Sequence, residues 1–143
     1  MTTSHMTLSY TPQVLEHAQN PRNVGEVPDA DGVGQSGDPR CGDFAVMTIR
    51  VRDGRIVQCK FLVQGCGAAI ATCSVTTELA TDKTIAEAQQ ITDAQVAEAL
   101  GGLPPHKMHC SNLAASALQA AIADLIKRQK VDLRDWRSLY SRR

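Results

Sequence analysis

Aromatic residues are nearly missing from this chain of 143 residues: they make up 3% of it, as Tyr10, Phe44, Phe61, Trp136 and Tyr140. A core made from such a sequence has to be aliphatic and rich in alanine. Net charge is missing too, since 15 Lys+Arg stand against 15 Asp+Glu. That balance argues against a nucleic-acid binder working through a basic face. No apolar run approaches the ~18 residues of a membrane helix, so no membrane partner is expected. The first ten residues hold no Arg, no Lys and no apolar stretch. Neither a signal nor a transit peptide is visible there, and a cytoplasmic protein is expected. Residues 1–9 read as a flexible N-terminus in which Ser4-His5-Met6 is compatible with a cloning remnant. The length suits one domain of ~100–200 residues.

What is present changes period along the chain. Thr11-Pro12 opens a short helix through Val14, Leu15 and Ala18, with Thr as N-cap and Pro at the first helical position. Asn20-Pro21 ends it, because the residue before a proline is pushed out of the helical region. Residues 23–40, rich in Gly, Asp and Pro, read as a loop with a short edge strand near Gly32–Ser36. Phe44–Val51 reads as a strand, Asp53-Gly54 as a type I′ turn, and Arg55–Val63 as the returning strand with Val57, Cys59, Phe61 and Val63 on one face. Helices follow over Gly67–Thr81, Ile85–Gln90 and Asp93–Leu100, with Gly101-Gly102-Leu103-Pro104-Pro105 as a breaker. The last long helix is predicted from about Ser111, with Leu113, Ala117, Ala120, Ala121, Ala123 and Leu125 packing. Residues 130–143, with four arginines around Trp136, read as a basic tail or a further helix. Strands first and helices after predict an α+β domain, a small antiparallel sheet of about three strands covered by helices on one side.

Five cysteines, an odd number without a secretory signal, point to thiols that are reduced and then metal-binding, reactive or buried. Cys59 and Cys73 fall inside elements and read as core. Cys41, Cys66 and Cys110 fall at element ends beside Gly, Asp or His. A helix N-terminus favours thiolate over thiol, which is the expectation for Cys66 and Cys110. The antiparallel hairpin brings the Cys41 loop and the Cys66 turn to the same open end. No C-x-x-C pair exists, which argues against a zinc ribbon or a thioredoxin-like dithiol. Asp43 can either share a metal with Cys41 or cap a turn, and His109 can be a ligand or a donor to one. His106 reads as surface, and His17 as packed against the loop that follows its helix.

Five segments together carry a family resemblance: Glu16-His17-Ala18-Gln19-Asn20-Pro21-Arg22-Asn23-Val24-Gly25, Cys41-Gly42-Asp43, Gly65-Cys66-Gly67-Ala68-Ala69-Ile70-Ala71, Leu103-Pro104-Pro105-His106-Lys107 and His109-Cys110-Ser111. Over roughly residues 10–129 the chain resembles the IscU and NifU N-terminal domain family of iron–sulfur cluster assembly scaffolds. The resemblance implies a SufE/NifU-like fold and a carrier, not an enzyme, that builds a transient 2Fe–2S cluster from iron and desulfurase sulfur and hands it to apoproteins. It implies cluster binding by Cys41, Asp43, Cys66, His109 and Cys110. Metal in the cluster-free form, iron or zinc, falls to Cys41, Asp43, Cys66 and Cys110, with the three thiols as sulfur acceptors. Implied partners are a cysteine desulfurase, apo iron–sulfur proteins, and a DnaK/HscA-type chaperone with its co-chaperone, in a monomer or dimer. The chaperone segment maps to Leu103, Pro104, Pro105 and Lys107, extended by its prolines, with His106 where the family usually has Val. The alternative is a zinc-bound SufU-like sulfur acceptor. That branch carries an insertion between its second and third cysteines and lacks the preceding His, whereas here 43 residues separate Cys66 from Cys110 and His109 is present.

Overall fold

The computed structural model describes residues 10–40 and 42–133, the side chains of 130–133 excepted. The sequence expectations for residues 1–9, for Cys41 itself and for the basic tail beyond Leu133 lie outside those residues. Helix α1 (Pro12–Gln19) is capped by Thr11, whose hydroxyl accepts from the Val14 amide at 3.1 Å. Strands β1 (Gly32–Gly37), β2 (Phe44–Arg52) and β3 (Arg55–Gln64) form one antiparallel sheet in that order. Helices α2 (Gly67–Ala80), α3 (Ile85–Gln89), α4 (Asp93–Ala99) and α5 (Met108–Leu133) complete the domain, with a 3-10 turn at Pro105–Lys107. Asp53 and Gly54 both take positive φ, 54° and 76°, as a type I′ turn requires.

Strand β2 is central, and alternation aims Ala45, Met47 and Ile49 at the helices, opposite Cys59 and Phe61 of β3. Val57 was expected on that face but is 38% exposed, and Ile56 is buried instead. The register explains it: Arg50 pairs with Gln58 while Val51 pairs with Ile56, which leaves Val57 as an extra bulged residue. A bulge shifts alternation by one residue, so a strict period-2 reading fails at that point. On the opposite face the Val27 amide donates to the Thr48 hydroxyl at 2.9 Å.

Helix α2 is buried almost all round, between the sheet and α1. Two of its hydroxyls are satisfied within the helix: Thr76 donates to the Thr72 carbonyl at 2.6 Å and Thr77 to that of Ser74 at 2.6 Å. His17 packs on this helix, its Nδ1 2.8 Å from the Ser74 hydroxyl and its Nε2 3.4 Å from Glu78, and the Arg22 amide of the following loop donates to the same hydroxyl at 2.9 Å. Burial holds its imidazole below the usual histidine pKa.

Helix α5 starts at Met108, earlier than Ser111, because the 3-10 turn runs straight into it. Its core face carries Leu113, Ala117, Leu118, Ala121, Ile122 and Leu125, whereas Ala123 is exposed. The helix lies directly on β1. A Cβ added to Gly34 would sit 2.1 Å from the Ala121 nitrogen, and one on Gly32 would sit 2.3 Å from the Ala121 carbonyl oxygen. Only glycine permits that approach.

Candidate metal and sulfur site

Cys66 occupies the N-cap of α2, with extended backbone (φ −79°, ψ 179°), between Gly65 and Gly67. Asp43 opens β2 on the other side of that turn. A Cβ on Gly65 would meet its Oδ1 at 3.0 Å, so glycine there lets the carboxylate lean over the turn. The first turn of α5 brings in the third group. His109 Nε2 lies 3.2 Å from Asp43 Oδ2, and Cys110 Sγ lies 3.5 Å from that imidazole nitrogen and 4.0 Å from Asp43 Oδ2. Cys66 Sγ and Cys110 Sγ are 3.9 Å apart. Asp43, His109 and Cys110 offer ligand atoms all within 4.8 Å of one another, one oxygen, one nitrogen and one sulfur. Such a mixed set suits zinc or iron and leaves room for a further thiolate.

The two described thiols of the site, Cys66 and Cys110, differ sharply. Burial opposes ionisation of Cys66, but the Ala69 and Ala68 amides at the helix start and the Lys107 ammonium outweigh it, so its pKa falls below the ordinary thiol value. Lys107 Nζ stands 3.5 Å from Cys66 Sγ. Cys110 was expected to gain thiolate character from its helix start. Instead burial, then the Cys66 sulfur and the Asp43 carboxylate, push it up to about 12. It sits inside the first turn and is wholly buried, where neighbouring negative charge outweighs the helix end. Alkylation of metal-free protein should therefore modify Cys66 well before Cys110 as pH rises. Lys107→Met should move the Cys66 midpoint upward, toward the ordinary value, in a pH–rate profile followed by peptide mapping. An unmoved midpoint would assign the shift to the amides alone.

Cys59 and Cys73 are core residues, 2% and 0% exposed, and burial pushes each up to about 12. His106 is exposed, as expected. The segment 103–107 is not extended throughout. Pro104 is (φ −55°, ψ 145°), but the Lys107 amide donates to the Pro104 carbonyl at 2.8 Å and closes a 3-10 turn. Proline at the start of a helical turn favours this, since its fixed φ suits the turn and its missing N–H is not needed.

Sequence reasoning missed two neighbours of the site. Tyr10 is 8% exposed and packs with Cys66, Cys110 and Leu103; burial raises its phenol pKa. Gln64, the last residue of β3, donates from Nε2 to the carbonyls of Pro39 at 3.2 Å and Gly42 at 3.0 Å. An isolated aromatic before the first helix and a polar strand end carry no periodic signal that would mark either.

These features define a small α+β domain with an open thiol–carboxylate–imidazole cluster at one end of its sheet. The chain belongs to the NifU-like N terminal domain family, which matches residues 9–132. It is 57% identical over 124 residues to the iron–sulfur cluster assembly scaffold protein IscU 1 of Archaeoglobus fulgidus, covering 86% of this chain and 81% of that one. It is 45% identical over 121 residues to the IscU scaffold of Escherichia coli strain K12, covering 82% and 94%. Its fold is shared with a crystal structure from Fervidobacterium islandicum AW-1, described as a cluster assembly scaffold for the SUF system (TM-score 0.66, 21% identity, 83% and 98% covered).

Proposed function

We propose that this chain assembles a transient 2Fe–2S cluster from iron and desulfurase-derived sulfur and passes it to apoproteins, as a cytoplasmic carrier and not a turnover enzyme. The observation that carries this reading is the meeting of Cys66, Cys110, Asp43 and His109 from three different elements at one sheet end. Cys41, two residues before Asp43, adds the third thiolate. Relatives named as IscU scaffolds at 45–57% identity support the same reading. No described helix is long and apolar enough to cross a membrane.

The donor set fits a cargo that must leave. A stable ferredoxin centre uses four thiolates. Here three soft sulfurs are joined by a hard carboxylate oxygen or an imidazole, which releases iron more readily. Cys66 is the sulfur acceptor, its thiolate favoured by Lys107 and by the helix start. Zinc occupies the same ligands when no cluster is present. Leu103, Pro104, Pro105 and Lys107 form the segment that a DnaK/HscA-type chaperone reads. Lys107 also faces Cys66, so such a chaperone would draw away the cation that stabilises the acceptor thiolate.

The test is anaerobic reconstitution with ferrous iron and sulfide, followed by transfer to an apo-ferredoxin, alongside metal analysis of the protein as purified. Visible thiolate-to-iron absorbance that moves to the acceptor supports the scaffold. Bound zinc, no cluster and activation of a desulfurase would favour the SufU-like reading. Asp43→Ala should give a cluster that persists several-fold longer in air and transfers more slowly, because the hard oxygen ligand is gone. Were Asp43 only a turn cap, its loss should lower stability by about 1 kcal/mol and leave cluster lifetime unchanged.

A further inference from the structure

Sulfur carried as a persulfide is two electrons short of the sulfide that a cluster takes up. The described part of the site holds a dithiol placed to supply them. Cys66 Sγ and Cys110 Sγ are 3.9 Å apart, although 44 residues separate them in the chain. One comes from the N-cap of α2 and the other from the first turn of α5, so tertiary packing alone makes the pair. They differ in depth: Cys66 is half-buried, and Cys110 is wholly buried. A donor arriving from solvent therefore meets Cys66 first, with Cys110 as the deeper partner. Charged and basic groups flank both sulfurs. Lys107 Nζ stands 3.5 Å from Cys66 Sγ, and His109 Nε2 stands 3.5 Å from Cys110 Sγ, with Asp43 Oδ2 next at 4.0 Å.

We propose that Cys66 and Cys110 act together as an internal reductant, freeing the sulfur carried on Cys66 as sulfide and closing a disulfide between themselves. The inference rests on the reading of Cys66 as the sulfur acceptor. The Cys110 sulfur attacks the inner sulfur of the Cys66 persulfide, which is the atom it faces. The bond to the outer sulfur breaks as the Cys66–Cys110 bond forms, and the outer sulfur leaves with the electron pair as hydrosulfide. The Cys110 proton passes to His109 Nε2. Counted from two free thiols, each cysteine gives one electron and the carried sulfur takes both. The Lys107 ammonium lies where the departing negative charge appears. Closing the bond brings the sulfurs from 3.9 Å to about 2.05 Å, a movement shared by two side chains. The product disulfide offers no thiolate, so it must be reopened before iron binds. A dithiol does this by exchange: it becomes the disulfide, and both cysteines regain their protons. Sulfide release and iron loading then alternate at one place, with a dithiol–disulfide exchange between them.

The experiment loads the metal-free full chain anaerobically with glutathione persulfide, then desalts it rapidly so that no small thiol remains. Sulfide is followed by methylene blue formation. The fate of each cysteine is read by alkylation and peptide mapping without reduction. Wild type should lose its Cys66 persulfide and release close to one sulfide for each one lost, with an equal amount of the Cys66–Cys110 disulfide. Cys110→Ala and Cys110→Ser should keep the persulfide and release sulfide at least tenfold more slowly, while Cys73→Ser should match wild type. Circular dichroism checks the fold of each variant, and the disulfide mapped in wild type tests the pairing without any substitution. A Cys66 persulfide as long-lived in wild type as in Cys110→Ser would overturn the inference. So would sulfide released without that disulfide, a disulfide to another cysteine or between two chains, or a persulfide found on Cys110 in place of Cys66. Sulfide and disulfide formed as expected, with no cluster on later reduction and reconstitution, would count against the scaffold function and leave this result standing.

Discussion

Cys66→Ala and Cys110→Ala should come out of anaerobic reconstitution without cluster absorbance, and Cys41→Ala likewise, while Cys59→Ala and Cys73→Ser should hold a cluster close to wild type. The expected contrast is the largest that single substitutions can give here, from full occupancy to little or none. A 2Fe–2S unit needs a thiolate on each side, and no fourth described thiol can step in. Cys59 lies against Met47, sulfur to sulfur at 3.8 Å, inside the sheet core, and its thiol is held near 12. Cys73 lies about two helical turns beyond Cys66 in α2, wholly buried and also near 12. Ionising either would place a negative charge in apolar surroundings, which is strongly unfavourable. The Cys→Ala changes at positions 66 and 110 remove one sulfur each, and neither leaves a large cavity, so the variants should remain folded. Circular dichroism on the same samples separates loss of ligand from loss of fold. Cluster retained by Cys110→Ala would remove that residue from the ligand set, and cluster lost from a folded Cys59→Ala would put an unexpected one into it.

Gly34→Ala should destabilise the protein by about 3 kcal/mol or more, an effect of the kind seen when a packed core is overfilled. The added carbon would stand 2.1 Å from the Ala121 nitrogen, 2.4 Å from the Ala117 oxygen and 2.6 Å from the Ala120 carbonyl carbon. All three are backbone atoms, so no side-chain rotamer can relieve the contact and α5 as a whole must move. For a domain of this size the unfolding midpoint should fall by roughly 10 °C. Gly67→Ala is the control. There the new carbon would meet only the Ala18 Cβ, at 3.7 Å, in ordinary contact. Alanine is also the better helix former by up to ~1 kcal/mol, so that variant should be neutral or slightly stabilised. Helix α5 also carries His109 and Cys110 in its first turn. Gly34→Ala should therefore weaken metal binding even at temperatures where the protein stays folded, whereas loss of stability with unchanged metal affinity would show that the first turn is held independently of the β1 contact.

Local signals in the sequence determined which elements form. Thr11-Pro12 caps α1, Asp53-Gly54 makes the hairpin turn, Thr84 and Thr92 open α3 and α4 with capping boxes, and Gly101-Gly102 ends the run with positive φ at both residues. These depend on a few neighbouring residues, and a single chain displays them. The placement of Cys66 at a strand-to-helix junction and of Cys59 and Cys73 inside elements was legible for the same reason. The meeting of Asp43 with His109 and Cys110 was not derivable from spacing, because it depends on how α5 docks across β1, and the resemblance to a family supplied the grouping instead. Tertiary structure alone decided the rest. A bulge at Val57 exchanged it with Ile56 in the core, since pairing with β2 and not the local pattern sets the register. The Cys110 thiol gained no ionisation from its helix start, because Cys66 and Asp43 arrive from elsewhere in the chain to surround it. Lys107, read from the sequence only as part of a partner segment, became the counter-charge of Cys66 once the 3-10 turn folded it back. The contacts of Gln64 and Lys107 are long-range, and a side chain's partner across 22 or 41 residues is set by packing, which no local pattern encodes.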